Sequence, residues 1–181
     1  MKSFEAQDVL KFWFDDVGEK GWWSKNEKLD EVIRLEFTEL IQTAARGELY
    51  LWRESPEGRL AEIIVLDQFS RNAFRGTPEA FAQDPLALIL SQEFVSLGLL
   101  DFLSPNQQTF ALMPFMHSES KLIHAVAEKL FRDLGLEHSL DFELQHKEII
   151  ERFGRYPHRN LILGRETTAE EVEFLKTHTG F

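Results

Sequence analysis

Four of the six prolines in this chain stand directly behind a helix-capping side chain, and that placement constrains the fold more than any other feature. Ser55-Pro56, Thr77-Pro78, Asp84-Pro85 and Ser104-Pro105 each set a side-chain oxygen where it can accept from the unpaired N–H groups of a first helical turn. Proline follows at the one place where a helix loses nothing by lacking an N–H. Four helix starts are predicted from four dipeptides. Ser24-Lys25-Asn26-Glu27 reads as a capping box opening a stripe of Leu29, Val32, Ile33, Phe37, Leu40, Ile41 and Ala44, closed by Gly47. Thr168-Ala169-Glu170-Glu171 is a second box, with Val172 and Leu175 on one side of a short last helix. No run of alternating apolar and polar residues competes with these signals. The expectation is an all-α chain of about eight or nine helices with short connections, and hence antiparallel neighbours. No sequence-regular solenoid repeat is present.

The hydrophobic residues, 43% of the total, and 16 Phe are spread along all 181 positions, as one globular domain over residues 1–181 requires. Twenty basic against 31 acidic residues give a net charge of −11, which argues against nucleic acid or an anionic membrane surface as a partner. The longest apolar run, Leu86 to Leu90, is far short of a membrane span. The polar, acidic start Met1-Lys2-Ser3-Phe4-Glu5-Ala6-Gln7-Asp8 lacks the apolar core of a signal peptide, so a cytoplasmic location is expected. Without cysteine there are no disulfides, thiolate nucleophiles or thiolate metal sites. Chemistry is left to carboxylates, His, Lys, Tyr, Ser and Thr.

One polar signature is written twice, as Asp67-Gln68-Phe69-Ser70-Arg71-Asn72-Ala73-Phe74-Arg75-Gly76 and as Arg155-Tyr156-Pro157-His158-Arg159-Asn160-Leu161-Ile162-Leu163-Gly164-Arg165. Arginine offers a rigid fork of five donors and asparagine both a donor and an acceptor. Two such pairs are either walls of an anion-binding pocket or structural clamps. On a helix from Pro56, one face carries Leu60, Ile63, Ile64 and Phe74 and the opposite face Val65, Leu66, Phe69 and Ala73, the pattern of a central helix. Asp67 and Arg71 fall among the first set, four residues apart and placed to pair. On a helix from about Ser118 the stripe Leu122, Ile123, Val126, Leu130 and Leu134 is expected inward, with Glu119 on the same side. After Ser139 the inward face is expected to hold Phe142, His146, Ile149, Ile150 and Phe153. Buried charges must be paired, so these groups are expected to meet each other or a ligand.

The candidate ligand-binding set is therefore Asp67, Arg71, Asn72, His117, Glu119, His146, His158, Arg159 and Asn160. Arg71 and Arg159 would hold an anionic group, with Asp67 and the asparagines orienting them. The clamp alternative leaves Arg155 and Arg165 in solvent and uses only Arg71 and Arg159 as bridges. Acid/base chemistry would pair Glu119, its carboxyl raised by burial, with His117 or His146. No metal site and no cofactor are assigned, because His117, Glu119, His146 and His158 match no compact ligand spacing and no phosphate loop or dinucleotide fingerprint occurs. Phe12-Trp13-Phe14, Trp22-Trp23 and Trp52 are expected to pack the first helix onto the body. A solvent-exposed Trp23 or Trp52 would instead favour an aromatic groove.

Taken together, Phe12-Trp13-Phe14, Ala45-Arg46-Gly47-Glu48-Leu49, Asp67 to Gly76, Pro114-Phe115-Met116-His117-Ser118-Glu119, His146-Lys147-Glu148-Ile149-Ile150 and Arg155 to Arg165 resemble the bacterial domain-of-unknown-function family nine-two-four, from about residue 7 to 179. The resemblance implies an all-α, tetratricopeptide-like superhelical domain of antiparallel helix pairs. It supplies no activity, substrate or catalytic residue. Ser70 stands where relatives tend to have Pro, and Met116 where they tend to have an acid. A binding module for a small anionic molecule or a peptide is the expected function. An enzyme using the same pocket and an interaction scaffold with an inert polar network are the alternatives.

Overall fold

The computed structural model describes residues 4–178, and all regular structure among them is helical. The α-helical segments are α1 (Ala6–Leu10), α2 (Gly18–Trp22), α3 (Glu27–Ala45), α4 (Pro56–Ile64), α5 (Ser70–Ala73), α6 (Asp84–Ser96), α7 (Pro105–Met116), α8 (Lys121–Asp133), α9 (Glu137–Phe153) and α10 (Ala169–Leu175). A π-helical stretch, Lys11–Val17, extends α1, and another, Val65–Phe69, fuses α4 with α5. With α4 and α5 read as one rod, the count agrees with the eight or nine helices expected from capping signals.

The capping chemistry accounts for most boundaries. Ser55 Oγ accepts from the Gly58 N–H, and Thr168 and Glu171 form the reciprocal box at α10. At α3 the N-cap is Asn26, whose Oδ1 accepts from Lys28 and Leu29, while Ser24 Oγ donates to the Lys20 carbonyl behind it. Asparagine is as good a cap as serine and stands next to the first turn, so the box expected at Ser24 does not form. Asp84 lies inside α6 and spends its carboxylate on Arg71. Thr77-Pro78 opens only a 3-10 turn, Pro78–Phe81.

The chain divides into two compact units, one drawn from residues up to 75 together with 79–114, the other from 76–78 together with residues from 115 onward. The first is built around the α4–π–α5 rod, in which every residue from Leu60 to Ser70 is buried. This central position follows from apolar side chains on both sides of the rod. Phe12, Trp13, Phe14 and Trp22 pack inward onto Phe37, Phe69 and Phe110, with ring centroids 4.8–5.8 Å apart, as expected. Trp23, however, is 53% exposed and stacks on Phe110, and Phe12, Phe14 and Trp22 are only half-buried, so this edge of the cluster meets the condition set for an aromatic groove. Glu62, fully buried on α4, is held by both nitrogens of an Arg53 fork.

In the second unit α8 and α9 fold back on each other across the short turn at Gly135, whose φ of 66° suits glycine. The face that α8 buries differs from the one its apolar stripe predicts. α8 buries His124, Ala127 and Phe131 and leaves Leu122 74% exposed. α9 buries Glu143, His146, Ile149 and Ile150, with Phe142 at the surface. α8 is rotated so that His124 meets Glu143, whereas α9 turns His146, Ile149 and Ile150 inward as expected, with Phe153 half-buried. Val172, like Leu122, is exposed, and α10 turns Glu171 inward.

Candidate functional site

The nine sequence-selected residues fall into two clusters, each inside one unit. In the first, Arg71 Nη1 donates to Asp67 Oδ1 and to the Asp67 carbonyl, both at 2.9 Å, and Nη2 to Asp84 Oδ2 at 3.0 Å. Gln68 Nε2 donates to the other Asp67 oxygen at 2.5 Å. Asp30, arriving from α3, accepts from Asn72 Nδ2 at 2.8 Å and from both faces of the Arg75 fork at 2.6 and 2.9 Å. The π turn at Val65–Phe69 carries Asp67 and Gln68 on the buried side of the rod. Three carboxylates and two guanidiniums meet here, so the cationic donors are already engaged by acids.

The second cluster surrounds Tyr156, which has no exposed surface. Its hydroxyl donates to the Met116 carbonyl at 2.5 Å, and its ring lies 5.7 Å from His146, 5.6 Å from His158 and 6.3 Å from His124, centroid to centroid. The Arg159 guanidinium sits 4.6 Å from the same ring centroid and donates to the His117 carbonyl at 3.1 Å. Asn160 Nδ2 reaches Thr167 at 3.4 Å. Pro157 starts the 3-10 turn that presents His158 and Arg159.

Glu119 is clamped rather than poised. Arg165 donates to both of its oxygens at 2.7–2.8 Å, and the Tyr156 N–H to Oε1 at 2.8 Å. Burial would raise its carboxyl, but these bonds, with the charges of Arg159 and Arg165, outweigh burial and hold it below the usual range. The expected raised acid at Glu119 is thus overturned. The solvated Arg155 and Arg165 of the clamp alternative are overturned too, since Arg155 grips Glu171 bidentately at 2.6 and 2.8 Å. That grip pulls the Glu171 carboxyl down to about 2.

His146 behaves in the opposite way. Burial, reinforced by His117, His124 and His158 nearby, pushes its imidazole down to about 3, so it is neutral at physiological pH. Nδ1–H donates to the Phe142 carbonyl at 2.7 Å, which places the ring's lone pair on Nε2.

Sequence reasoning passed over His124, Glu143 and Tyr156, all fully buried at the centre of this cluster. The signal was present as His124-Ala127-Phe131 and Glu143-His146-Ile150, each at core spacing once a histidine or glutamate is allowed on the buried face. Among the described residues no three His, Asp or Glu side chains are grouped to hold a metal ion. None of the described helices is long and apolar enough to cross a membrane.

Comparison with known proteins places this architecture. A solved structure described as a protein of unknown function, ATU0120 from Agrobacterium tumefaciens, matches with a TM-score of 0.90 and 39% identity over 96% of this chain and 97% of that one. No curated protein matches. The sequence pattern of the bacterial proteins of unknown function designated DUF924 fits residues 9–179, which spans both units and every residue of both clusters. This chain therefore belongs to the DUF924 family of bacterial proteins.

Proposed function

We propose that this protein is a binding module whose ligand, a small anionic molecule, is taken by the imidazole cluster around Tyr156. The observation that carries the reading is the convergence of His146, His158 and Arg159 on one buried ring, with His117 near enough to act on His146, in a chain of net charge −11. Imidazoles crowded together resist protonation, and an anion among them relieves that repulsion, so ligand and protons bind together. The arginines of the first cluster are engaged by carboxylates, which makes Asp67, Arg71 and Asn72 a brace in this reading. We place the protein in the cytoplasm as one helical domain in which tetratricopeptide-like helix pairs present the site. The net charge and a family match running across both units support this.

A thermal-shift titration tests the reading, using inorganic phosphate, a sugar phosphate, a nucleotide and succinate at about pH 6 and about pH 8. A bound anion at about a hundredfold its Kd adds roughly 2.7 kcal/mol to the folded state, a rise of several degrees. The rise is expected to be larger at the lower pH and to vanish in a His117→Gln/His158→Gln double variant. A flat response to all four anions at both pH values would sink the proposal.

A further inference from the structure

A cavity of about 390 Å³ opens between α9 and the end of the chain that follows α10, on residues absent from both clusters. Its volume is that of a small-ligand site. From α9 it is lined by Gln145, Glu148, Ile149 and Arg152, one helical stripe, and it faces Glu173, Phe174, Thr177 and His178. Ile149 is buried and Phe174 half-buried, which gives an apolar floor. His178 lies flat on Phe174, with centroids 4.4 Å apart and planes at 9°.

The charges in this groove do not balance. Arg152 Nε donates to Glu170 Oε1 at 2.8 Å, and Glu173 pairs with Lys176. The Glu148 carboxylate makes no hydrogen bond or ion pair with any described residue, so the residual charge at the groove is negative. The site also displays the chemistry it can accept. The Arg152 guanidinium rests 4.7 Å from the Phe153 ring centroid and 5.8 Å from that of Phe174 while an α10 carboxylate neutralises it. A cation beside an aromatic ring with a carboxylate at its edge is a stable arrangement, and Glu148 adds a second carboxylate to the same groove.

We propose that this groove binds an aliphatic cation, a guanidinium or ammonium group on a short alkyl stem. The stem lies on Ile149 beside Phe174, and the head meets the Glu148 carboxylate. The same chemistry is offered by a free diamine or guanidino-amine and by an arginine side chain on a peptide. The proposal is independent of the anion site around Tyr156 and uses none of its side chains.

Isothermal titration of the full chain with agmatine and with N-acetyl-arginine amide tests it. Saturable one-site binding of agmatine is expected, weakened at least about tenfold in Glu148→Gln, a difference of about 1.4 kcal/mol. Glu148 and Glu173 are exposed, so Glu148→Gln and Glu173→Gln leave the fold intact. Binding of both probes points to a peptide side chain as the natural source, and binding of agmatine alone to a free amine. His158→Gln leaves agmatine affinity unchanged, and inorganic phosphate does not displace agmatine, so failure of the anion site is read separately. The proposal is overturned by an absence of saturable binding for both cations at affinities of about 1 mM or better. Equal affinity in Glu148→Gln, or displacement of agmatine by phosphate, overturns it as well.

Discussion

His124 Nδ1 lies 2.7 Å from Glu143 Oε1, and neither side chain has any exposed surface. The other ring nitrogen, Nε2, is 2.8 Å from the Ser118 carbonyl, which can only accept, so Nε2 carries a hydrogen. One proton then serves the Nδ1–Oε1 contact. Glu143 Oε2 is buried with no hydrogen-bond partner, and burial outweighs the His124 bond in pushing the carboxyl up. Leaving that proton on Glu143 puts the least charge on the orphan oxygen.

Glu143→Gln is therefore expected to match or exceed wild-type stability at neutral pH, because an amide donates to Nδ1 as the neutral acid does. Glu143→Ala leaves a neutral but buried His124 Nδ1 without its donor and should cost about 1–3 kcal/mol, with the cavity adding to that. A carboxyl raised on folding contributes fully below its unfolded value and loses that contribution as pH rises through its folded value. The advantage of the glutamine variant should thus grow with pH. Urea unfolding at several pH values measures this, and a Gln variant as weak as the Ala variant would establish a charged pair instead.

His146 carries the opposite sign. Its folded value of about 3 lies below the ordinary imidazole value, so the unfolded chain takes up the proton first as pH falls. Stability should decline from about pH 6.5 downward by at most about 1.4 kcal/mol per pH unit. Glu119 and Glu171, whose carboxyls are lowered, add their own acid losses only from the ordinary carboxylate range downward. The raised Glu143 carboxyl also changes stability between about pH 5 and about pH 6.5, with the opposite sign, so the histidine is isolated by the difference between wild type and His146→Gln, to which Glu143 contributes equally. Over that interval His146→Gln should remove the histidine's share of the slope, and a slope identical to wild type would show that His146 is protonated in the folded state.

These residues mark where the sequence stops being legible. Capping and periodicity are local, so the helix starts at Pro56, Pro105 and Ala169 and the central rod could be read from neighbouring residues alone. The rotation of α8 could not. Leu122 and Val126 make the stronger apolar stripe, yet His124 faces inward because Glu143, 19 residues away, compensates it. A pair that is favourable only when both members are present has no signal in either helix by itself. The same holds for Arg165 with Glu119 and for Arg155 with Glu171, which look like surface charges until their partners are known. Asp67 and Arg71, four residues apart on one helix, were legible because the pairing is local.

Arg71 bridges two carboxylates, and this decides how its removal should be read. Arg71→Ala leaves Asp67, 1% exposed, without its cation and should cost about 3–5 kcal/mol. Asp67→Asn/Arg71→Met removes the buried charge, keeps an acceptor for Gln68 and fills the volume, so it should recover most of that loss. Asp84, 18% exposed, also loses its cation in both variants, so its share of the loss is common to the two. Thermal melts of the three proteins make the comparison. A double variant no better than Arg71→Ala would mean the cluster is held by more than this pair.

Gly58 is set against the usual helix preference. It sits in the first turn of α4, donates its N–H to Ser55 Oγ at 3.0 Å, and shows no positive φ. Propensity favours alanine there by about 1 kcal/mol. A Cβ at this position would stand 1.9 Å from the Trp52 carbonyl oxygen, a backbone atom that cannot rotate away. Gly58→Ala must push the 3-10 turn Tyr50–Glu54 outward, and that turn carries Arg53, whose fork neutralises the fully buried Glu62. The expected result is a net loss of roughly 1–3 kcal/mol from overpacking, rising if the Arg53–Glu62 bonds lengthen. A double-mutant cycle with Arg53→Ala separates the two contributions. If alanine acts only by crowding, the losses add. If it acts through the displaced turn, the second substitution costs less in the presence of the first, because the Glu62 carboxylate has already lost its partner.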